Sequence, residues 1–387
     1  MRPRLKPLAD LCTRCSRASQ RPFSTTLRKD RGYVPEFVPT SEPALDTIFN
    51  DYREKVFIPT SLSQTHQRLI YRPTRQGVLT NDPGVSVSIT DEEEVQLKPM
   101  KMSERPNKVE TFRQILNIYK NGASDEAWQN VYPFLHGLKD SPYHTTMAFV
   151  DALARYANIH SKHQVFMECI EYPQDTGVRL CHPYVTEKMF LGCHDRAVAA
   201  GFKGNALKES RTLARRLVAL MEKEHHCRGR IPDKHYDMRY SLMVHGVLLE
   251  LHAVAGDNIP ELQNAVSRVL ALSQDQQTGA VDLSFPEFGQ AYPRAESGRW
   301  TDIGAAAIMT RSLIPLWSGM KFASKIPEGV RKEEKTAFAQ RLKDVSQTLQ
   351  ERLQKFREVA AREPEKPREL ERFVAAIEKI HGPVGSS

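Results

Sequence analysis

The sequence has no long apolar run. Among its 387 residues, no stretch approaches the ~18 consecutive apolar residues that cross a bilayer, which excludes a multispan membrane protein. It also has no low-complexity repeat, and its 40% hydrophobic and 8% aromatic residues exclude collagen-like and wholly disordered chains. At about 150 residues per domain, a chain of this length forms two or three domains or one extended array.

Cysteine is scarce and scattered, with six residues in the whole chain. This excludes a disulfide scaffold, so we expect reduced and mostly buried thiols. The pairs Cys181-His182 and Cys193-His194 are of the residue types that bind zinc. On one helix that begins at Pro183, however, the two pairs lie about three turns apart, or ~16 Å, which is too far to share an ion. We therefore assign no metal and no cofactor.

The motifs of common catalytic sites are also missing. The sequence contains no Gly-x-Ser-x-Gly elbow, no His-Glu-x-x-His pair, no phosphate-binding loop and no Gly-x-Gly-x-x-Gly turn. Its 13 histidines are spread along the chain with no apparent pairing. We therefore predict that the protein is not an enzyme and has no catalytic residue. Alanine at any single His or Cys should leave its function largely intact.

Positive charge is concentrated at the N terminus. The formal net charge is +8, but residues 1–30 hold eight of the 55 Lys and Arg residues and only two of the 47 acidic ones. The rest of the chain is therefore close to neutral. A near-neutral body argues against deep burial among nucleic-acid phosphates, although the whole-chain charge is basic.

The first 30 residues have the composition of an organelle-targeting presequence, since they are rich in Arg, Ser and Thr and poor in acidic residues. They lack the continuous apolar core of a secretory signal. Arg21, Phe23 and Ser24 resemble the cleavage region of mitochondrial matrix presequences, where Arg precedes an aromatic residue and then hydroxyl residues. The resemblance implies the mitochondrial matrix, with cleavage between about Phe23 and Arg31. A basic tail that binds nucleic acid is the alternative.

Hydropathy divides the remaining chain into four parts. Residues 31–105 are predicted to be an extended segment with a short helix over 44–56 and a β-hairpin around Val85–Leu97. Residues 106–273 form a helical-repeat domain, 274–300 a long loop, and 301–387 a C-terminal helical region. The predicted fold class is all-α, with stacked helical hairpins like an α-solenoid, a small N-terminal β-hairpin and a long C-terminal helix.

Helical periodicity runs almost without interruption from residue 109. Candidate helices cover 109–121, 124–138, 142–157, 160–171, 183–200, 204–226, 234–255, 259–273, 302–320, 331–362 and 367–381. Helix starts near 109, 142 and 183 recur at spacings of 33 and 41 residues. Such spacings are typical of helical-hairpin repeats, in which each pair buries its apolar face only against its neighbours.

Part of this region resembles a known repeat family. Tyr119-Lys120-Asn121-Gly122, followed by Asp125-Glu126-Ala127, resembles the turn of a pentatricopeptide repeat, whose first helix ends near Tyr-x-x-Gly and whose second opens near Asp/Glu-Glu-Ala. A weaker copy begins at Met147, and the resemblance covers roughly residues 109–171. It implies a degenerate pentatricopeptide-like protein of fungal-type mitochondria that associates with RNA. The register fails after residue 171, so no base-reading position is assigned.

One group of cations is a candidate RNA-binding surface, and we call it the basic ridge: Lys203, Lys208, Arg211, Arg215 and Arg216. Helical spacing places Lys208, Arg211 and Arg215 on one face, opposite a stripe of leucines. Such a row suits RNA phosphates. A solvated helix face is the alternative.

The long C-terminal helix is a candidate for binding a protein partner. Within 331–362, apolar Phe338, Leu342, Val345 and Leu349 follow the spacing of a short coiled-coil seam. The seam is predicted either to receive a protein partner or to pack on the chain's own body.

Two classes of function fit these features. In the first, the chain is a non-catalytic helical-repeat protein of the mitochondrial matrix that acts in organellar gene expression. It would be a peripheral component of the mitochondrial ribosome, or a translation or mRNA-handling factor, with the ribosome or organellar RNA as partner. In the second, it is an assembly factor or scaffold for a respiratory-chain complex. Co-migration with a ribosomal subunit would distinguish the two.

Overall fold

A computed structural model describes residues 33–81, 84–89, 93–227, 237–274, 302–362 and 369–384, and most of these are helical. The predicted presequence lies outside the described residues, as does all but the first residue of the loop predicted over 274–300. None of the described helices combines the length and hydropathy of a membrane span.

The N-terminal part contains short elements. They are α1 (Pro43–Tyr52), α2 (Ile58–Ser61), α3 (Gln64–Tyr71), α4 (Pro73–Thr80), β1 (Ser86–Ser88) and β2 (Glu94–Gln96). A π-helical turn over Arg53–Phe57 joins α1 to α2, and a 3₁₀ turn over Met102–Glu104 precedes α5.

The main body consists of helices, most of which are longer. They are α5 (Lys108–Lys120), α6 (Asp125–Gln129), α7 (Val131–Lys139), α8 (Met147–Ile159), α9 (His163–Glu171), α10 (Pro173–Thr176), α11 (Pro183–Ala199), α12 (Gly204–Met221), α13 (Glu224–Cys227), α14 (Leu242–Ala255), α15 (Ile259–Gln274), α16 (Asp302–Ser324), α17 (Lys335–Arg362) and α18 (Glu369–His381). Two further 3₁₀ turns, over Met238–Tyr240 and Lys332–Glu334, precede α14 and α17. The predicted all-α fold class is confirmed.

The predicted β-hairpin is also confirmed. Strands β1 and β2 pair antiparallel, with Val87 opposite Val95. Val87 and Leu97 pack into a small core with Ile70 and Leu79, which come from helices α3 and α4. The sequence analysis did not predict these two helices. An isolated hairpin is marginal in water, and this core stabilises it by burying its inner face.

The helices of the main body stack in chain order. The first helices of successive hairpins lie side by side, because α5 packs on α8, α8 on α11, α11 on α14 and α14 on α16, and α17 then packs on α16. The second helices α9, α12 and α15 each pack on the first helix of their own hairpin. One continuous core results, which runs from Leu45 in α1 to Ile377 in α18. Each fully buried side chain of this size contributes about 1.5–3 kcal/mol.

The turn of the first hairpin shows how local sequence sets this geometry. Gly122 has a φ of +94°, a conformation that disfavours side chains with a Cβ. Ser124 then caps α6 by accepting a hydrogen bond from the amide of Ala127. The carboxylate of Glu42, just before α1, accepts hydrogen bonds from the amide and the hydroxyl of Ser124 at 3.0 and 2.9 Å. The N-terminal helix is thereby fixed to the first hairpin.

Helices α14 and α16 approach each other through glycines. A Cβ added at Gly246 would lie 2.7 Å from the Cα of Leu316, and one at Gly319 would lie 2.7 Å from the amide nitrogen of Glu250. Both separations are too short for a side chain, so these two glycines allow the helix backbones to touch. The close contact brings Glu250 of α14 beside α16 in the centre of the stack.

The apolar seam of the long C-terminal helix packs on the chain's own body, which is one of its two predicted alternatives. Phe338, Val345, Leu349, Leu353 and Phe356 of α17 are all buried, and α17 packs against α16 of its own chain. The described side chains of the seam therefore lie inside the protein, and a protein partner of residues 331–362 stays a prediction. The stripe continues through Leu353 because the apolar positions of a straight helix drift from a strict seven-residue repeat.

Candidate interaction surfaces

The structure brings the basic ridge together on the solvent side of α12. Lys203 immediately precedes the helix, and the other four residues lie along its first four turns. Lys208, Arg215 and Arg216 are exposed, whereas Arg211 is half-buried. Leu213 and Leu217 on the opposite face are in the core, as the helical spacing predicts.

Two arginines of the ridge are engaged by carboxylates at the start of α15. Arg211 donates hydrogen bonds to both carboxylate oxygens of Asp257, with Nη2 2.8 Å from Oδ2. Arg215 Nη2 donates to Glu261 Oε1 at 2.9 Å. The hydrogen bonds from Arg211 lower the pKa of the Asp257 carboxyl. These contacts join the second helices of neighbouring hairpins.

The third arginine of the ridge, Arg216, pairs with Glu171 at the end of α9. Lys203 and Lys208 form no ion pair within the described part of the chain. Exposed ion pairs contribute only about 0–1 kcal/mol, so a phosphate can displace one at little cost. RNA binding by the ridge therefore stays a prediction, and Lys203 and Lys208 are its most available cations.

Other arginines of the body are also neutralised within the chain. Arg53 of the π-helical turn pairs with Glu93 at the β-hairpin, with 2.5 Å between Nη2 and Oε2. Arg311 of α16 pairs with Asp195 of α11. Intramolecular pairing of this kind reduces the number of cations that can neutralise RNA phosphates.

A buried polar cluster links four helices in the centre of the stack. His194 of α11 and Glu250 of α14 are both fully buried, and Nδ1 of the histidine is hydrogen-bonded to Oε2 of the carboxyl. The hydroxyl of Ser318 in α16 lowers the pKa of the Glu250 carboxyl. The same hydroxyl lies 2.9 Å from Nε2 of His381 in α18.

Burial raises the pKa of Glu250, while the neighbouring His194 lowers it. The cluster predicts that His194 contributes to the stability of the fold, whereas the dispensability of single histidines for function stays a prediction. The two partners lie 56 residues apart, so no local motif reveals them. The signal that could have found them is Glu250 itself, a lone carboxylate inside the apolar helix α14, because a buried carboxylate requires a partner.

The two Cys-His pairs lie too far apart to bind one metal ion. Helix α11 begins at Pro183, as predicted, with Cys181-His182 before it and Cys193-His194 about three turns along it. Burial raises the pKa of the Cys193 thiol to about 12, which disfavours a reactive thiolate. Within the described ranges, no three His, Cys, Asp or Glu side chains converge on a common point.

His226 makes the stability of the fold depend on pH. The ring is 1% exposed, and its Nδ1 accepts a hydrogen bond from the amide of Leu180 at 3.1 Å. Burial, together with the charges of Lys223 and Arg179, lowers the pKa of His226 to about 4. A histidine with a depressed pKa stabilises the fold above its ordinary pKa of about 6.5, and this contribution is lost as the pH falls towards 4.

His226→Asn should make the protein less sensitive to acid. Asparagine keeps an acceptor for the Leu180 amide but does not titrate. Between pH 7.5 and 5, the wild-type chain should lose about 2 kcal/mol more of its free energy of unfolding than the variant. Urea unfolding at both pH values measures this difference. His225→Asn, at the exposed neighbouring position, is the control and should behave like wild type; an equal acid loss in both variants would contradict the role of His226.

Comparison of the sequence with models of known protein families gave a match over nearly the whole chain. A family model described as mitochondrial ribosomal protein mS27 matches residues 21–379. The match begins at Arg21, within the predicted cleavage region. A comparison with curated proteins gave no match.

Proposed function

The chain belongs to the mitochondrial ribosomal protein mS27 family, and on that premise we propose that it works without catalysis, through the surfaces of its helical stack. As a member of this family it is a component of the mitochondrial ribosome and resides in the mitochondrial matrix. The family match carries this conclusion. The second class of function, an assembly factor or scaffold for a respiratory-chain complex, is not favoured by the match.

A peripheral position on the ribosome is supported by charge. Outside residues 1–30 the chain is nearly neutral, and Arg211, Arg215, Arg216 and Arg311 are engaged by the chain's own carboxylates. Proteins that lie deep in RNA must neutralise many phosphates with unpaired cations. This body carries little net positive charge for that purpose, which supports contacts at the edge of the particle.

We also propose that the hairpins over 109–171 are degenerate pentatricopeptide-like repeats. Helix α5 ends at Lys120, the turn contains Gly122 in the left-handed region, and the next helix opens at Asp125. Helices α8 and α9 repeat the arrangement. The side-by-side packing of α5 and α8 is the relation expected of successive repeats.

Affinity purification of the tagged full-length chain, with and without RNase, tests the proposed function. Proteins and RNA of one ribosomal subunit should dominate the purified material without RNase. After RNase treatment, ribosomal proteins in direct contact with the chain should remain. Purification of respiratory-complex subunits in place of ribosomal proteins would support the second class of function instead.

The basic ridge is best tested through its two lysines. Changing Lys203 and Lys208 together to Glu should weaken RNA association similarly for all sequences, because phosphate contacts position RNA without specifying it. The slope of log affinity against log salt should fall by about 0.7 for each phosphate of a single strand that the variant no longer neutralises. Filter binding at several salt concentrations measures both effects.

The control applies the same change of charge elsewhere. Lys332 and Lys335, at the start of α17, are exposed, and their double Glu variant should bind RNA as the parent does. The arginines are less suitable targets, because Arg211→Glu and Arg215→Glu would also place like charges beside Asp257 and Glu261. If the Lys203→Glu/Lys208→Glu variant binds as tightly as the control, the ridge is only a solvated face.

Import should remove the N-terminal arm. N-terminal sequencing of the protein isolated from mitochondria should begin between about Phe23 and Arg31, because the basic arm ends in the cleavage-like residues Arg21, Phe23 and Ser24. A mature protein that retains Met1 would contradict this expectation.

A further inference from the structure

The first helices of the first two hairpins leave an open groove between them. Helices α5 and α8 run in the same direction, because the rings of Phe112 and Phe149 stack 4.3 Å apart near their N-terminal ends. Near their C-terminal ends, Nε2 of His160 lies 3.1 Å from the carbonyl oxygen of Lys120. The groove between them has a volume of about 470 Å³, and we call it the α5–α8 groove.

The floor of the α5–α8 groove is mostly apolar. Val109 and Leu116 of α5 and Ala148 and Phe149 of α8 line it. Val109 is 79% exposed, which is the largest exposure among the bulky apolar side chains of the described residues. Ile159, which is 64% exposed, lies three residues after the lining residue Tyr156 on the same face of α8. Exposed apolar side chains in and beside one groove are typical of an interaction site.

All the acid–base side chains at the rim of this groove are cations, apart from the weakly acidic Tyr156. Lys108, Arg113 and Lys120 line its α5 side. Arg155 lies next to it, 4.9 Å from the centre of the Tyr156 ring. The nearby carboxylate of Glu110 pairs with Arg113, which leaves Lys108 and Lys120 without an ion-pair partner in the described part of the chain. The rim is therefore complementary to carboxylates or phosphates.

The floor favours a protein over RNA. RNA bases bind such surfaces by stacking on exposed aromatic faces, but Phe112, Phe149 and Tyr156 are only 5%, 2% and 8% exposed. An RNA backbone would also leave Val109 and Ile159 against polar groups. An amphipathic helix satisfies both features, because its apolar stripe covers the floor and its flanking carboxylates meet the rim.

We propose that the α5–α8 groove binds an amphipathic helix of a neighbouring ribosomal protein, with an apolar stripe flanked by Asp or Glu. The groove extends along the 13 residues of α5, or ~18 Å, which matches three to four turns of a partner helix. The proposal rests on membership of the ribosome and adds to it the kind of partner and the surface that receives it.

Site-specific photo-cross-linking in assembled ribosomes tests the proposal. A benzophenone amino acid replaces Val109 in one full-length variant and Ile159 in another. The control variant carries it at Val78, an apolar residue that is 53% exposed and lies outside the groove. After irradiation of purified particles and RNase digestion, both groove positions should yield an adduct with the same acidic protein segment, identified by peptide mass spectrometry. The Val78 variant should not label that segment.

A second experiment reverses the charge of two lysines at the rim of the groove. Lys108→Glu/Lys120→Glu in the Val109 cross-linker background should reduce the adduct about tenfold, since two exposed attractions become repulsions. Lys332→Glu/Lys335→Glu should leave it unchanged. Particles that contain the chain but give no adduct from either groove position, or give an RNase-sensitive adduct with RNA, overturn the groove proposal alone. A chain that sediments free of ribosomal subunits overturns both this proposal and the proposed function.

Discussion

Leu217→Asp should abolish folding of the chain, with a loss of about 5 kcal/mol or more in the free energy of unfolding. Leu217 is fully buried in α12, so the variant removes core packing and places a carboxylate where it has no partner. Loss of the far-ultraviolet circular dichroism signal, or a large fall in the urea midpoint, measures the effect. Incorporation into ribosomes should be lost together with the fold, because the proposed function depends on folded surfaces.

Ala219→Asp, two residues further along the same helix, is the matched control. Ala219 is exposed, and aspartate there should cost only about 0.7 kcal/mol through its lower helix propensity. A Leu217→Asp protein that melts like Ala219→Asp would show that this face of α12 is not in the core.

His194→Ala should be the most damaging of the histidine substitutions and should show a defined dependence on pH. It leaves the buried Glu250 without its histidine partner, which costs about 3–5 kcal/mol where the carboxyl is ionised. Burial already raises the pKa of Glu250, and removal of His194 raises it further. A group whose pKa is raised by folding loses stability as the pH increases, so the cost should be larger at pH 8 than at pH 5.

The double variant His194→Ala/Glu250→Gln separates this electrostatic effect from the loss of packing. Glutamine retains the hydrogen-bonding shape of Glu250 but cannot ionise. Its free energy of unfolding, measured in urea, should therefore vary much less between pH 5 and pH 8 than that of His194→Ala. If both variants have the same pH dependence, Glu250 is not the group that titrates.

Most helix positions could be predicted because apolar periodicity and end signals coincide. The helix predicted over 183–200 is observed as Pro183–Ala199, with proline in its first turn, and that predicted over 259–273 is observed as Ile259–Gln274. The observed helix ends differ from the predicted ones where a capping residue, and not the apolar periodicity, sets the first residue of the helix. The helix predicted from 142 begins at Met147, because Thr146 caps it by accepting a hydrogen bond from a backbone amide.

Short helices with little apolar surface escaped prediction. Helices α3 and α4 each contain eight residues, and each buries a single apolar side chain, Ile70 or Leu79. A single buried residue in eight gives no periodicity to detect. These helices are recognisable only from the β-hairpin that they cover.

The environment of the candidate surfaces could not be predicted from local sequence. Spacing placed Arg211 and Arg215 correctly on the outer face of α12, but their partners Asp257 and Glu261 follow 46 residues later. The same holds for the seam of α17, whose spacing is equally compatible with a partner and with the chain's own α16. In both cases the contact is made by residues far away in the sequence. The periodic pattern of one helix does not indicate which distant surface will pack against it.

Sedimentation of mitochondrial lysate in a low-magnesium gradient tests most directly whether this chain is a working component of the ribosome. The tagged full-length chain should follow one of the two dissociated subunits at a stoichiometry near one copy per particle, and the Ala219→Asp variant should do the same. A chain that stays at the top of the gradient, or appears with the subunit at only a small fraction of one copy, would contradict this assignment.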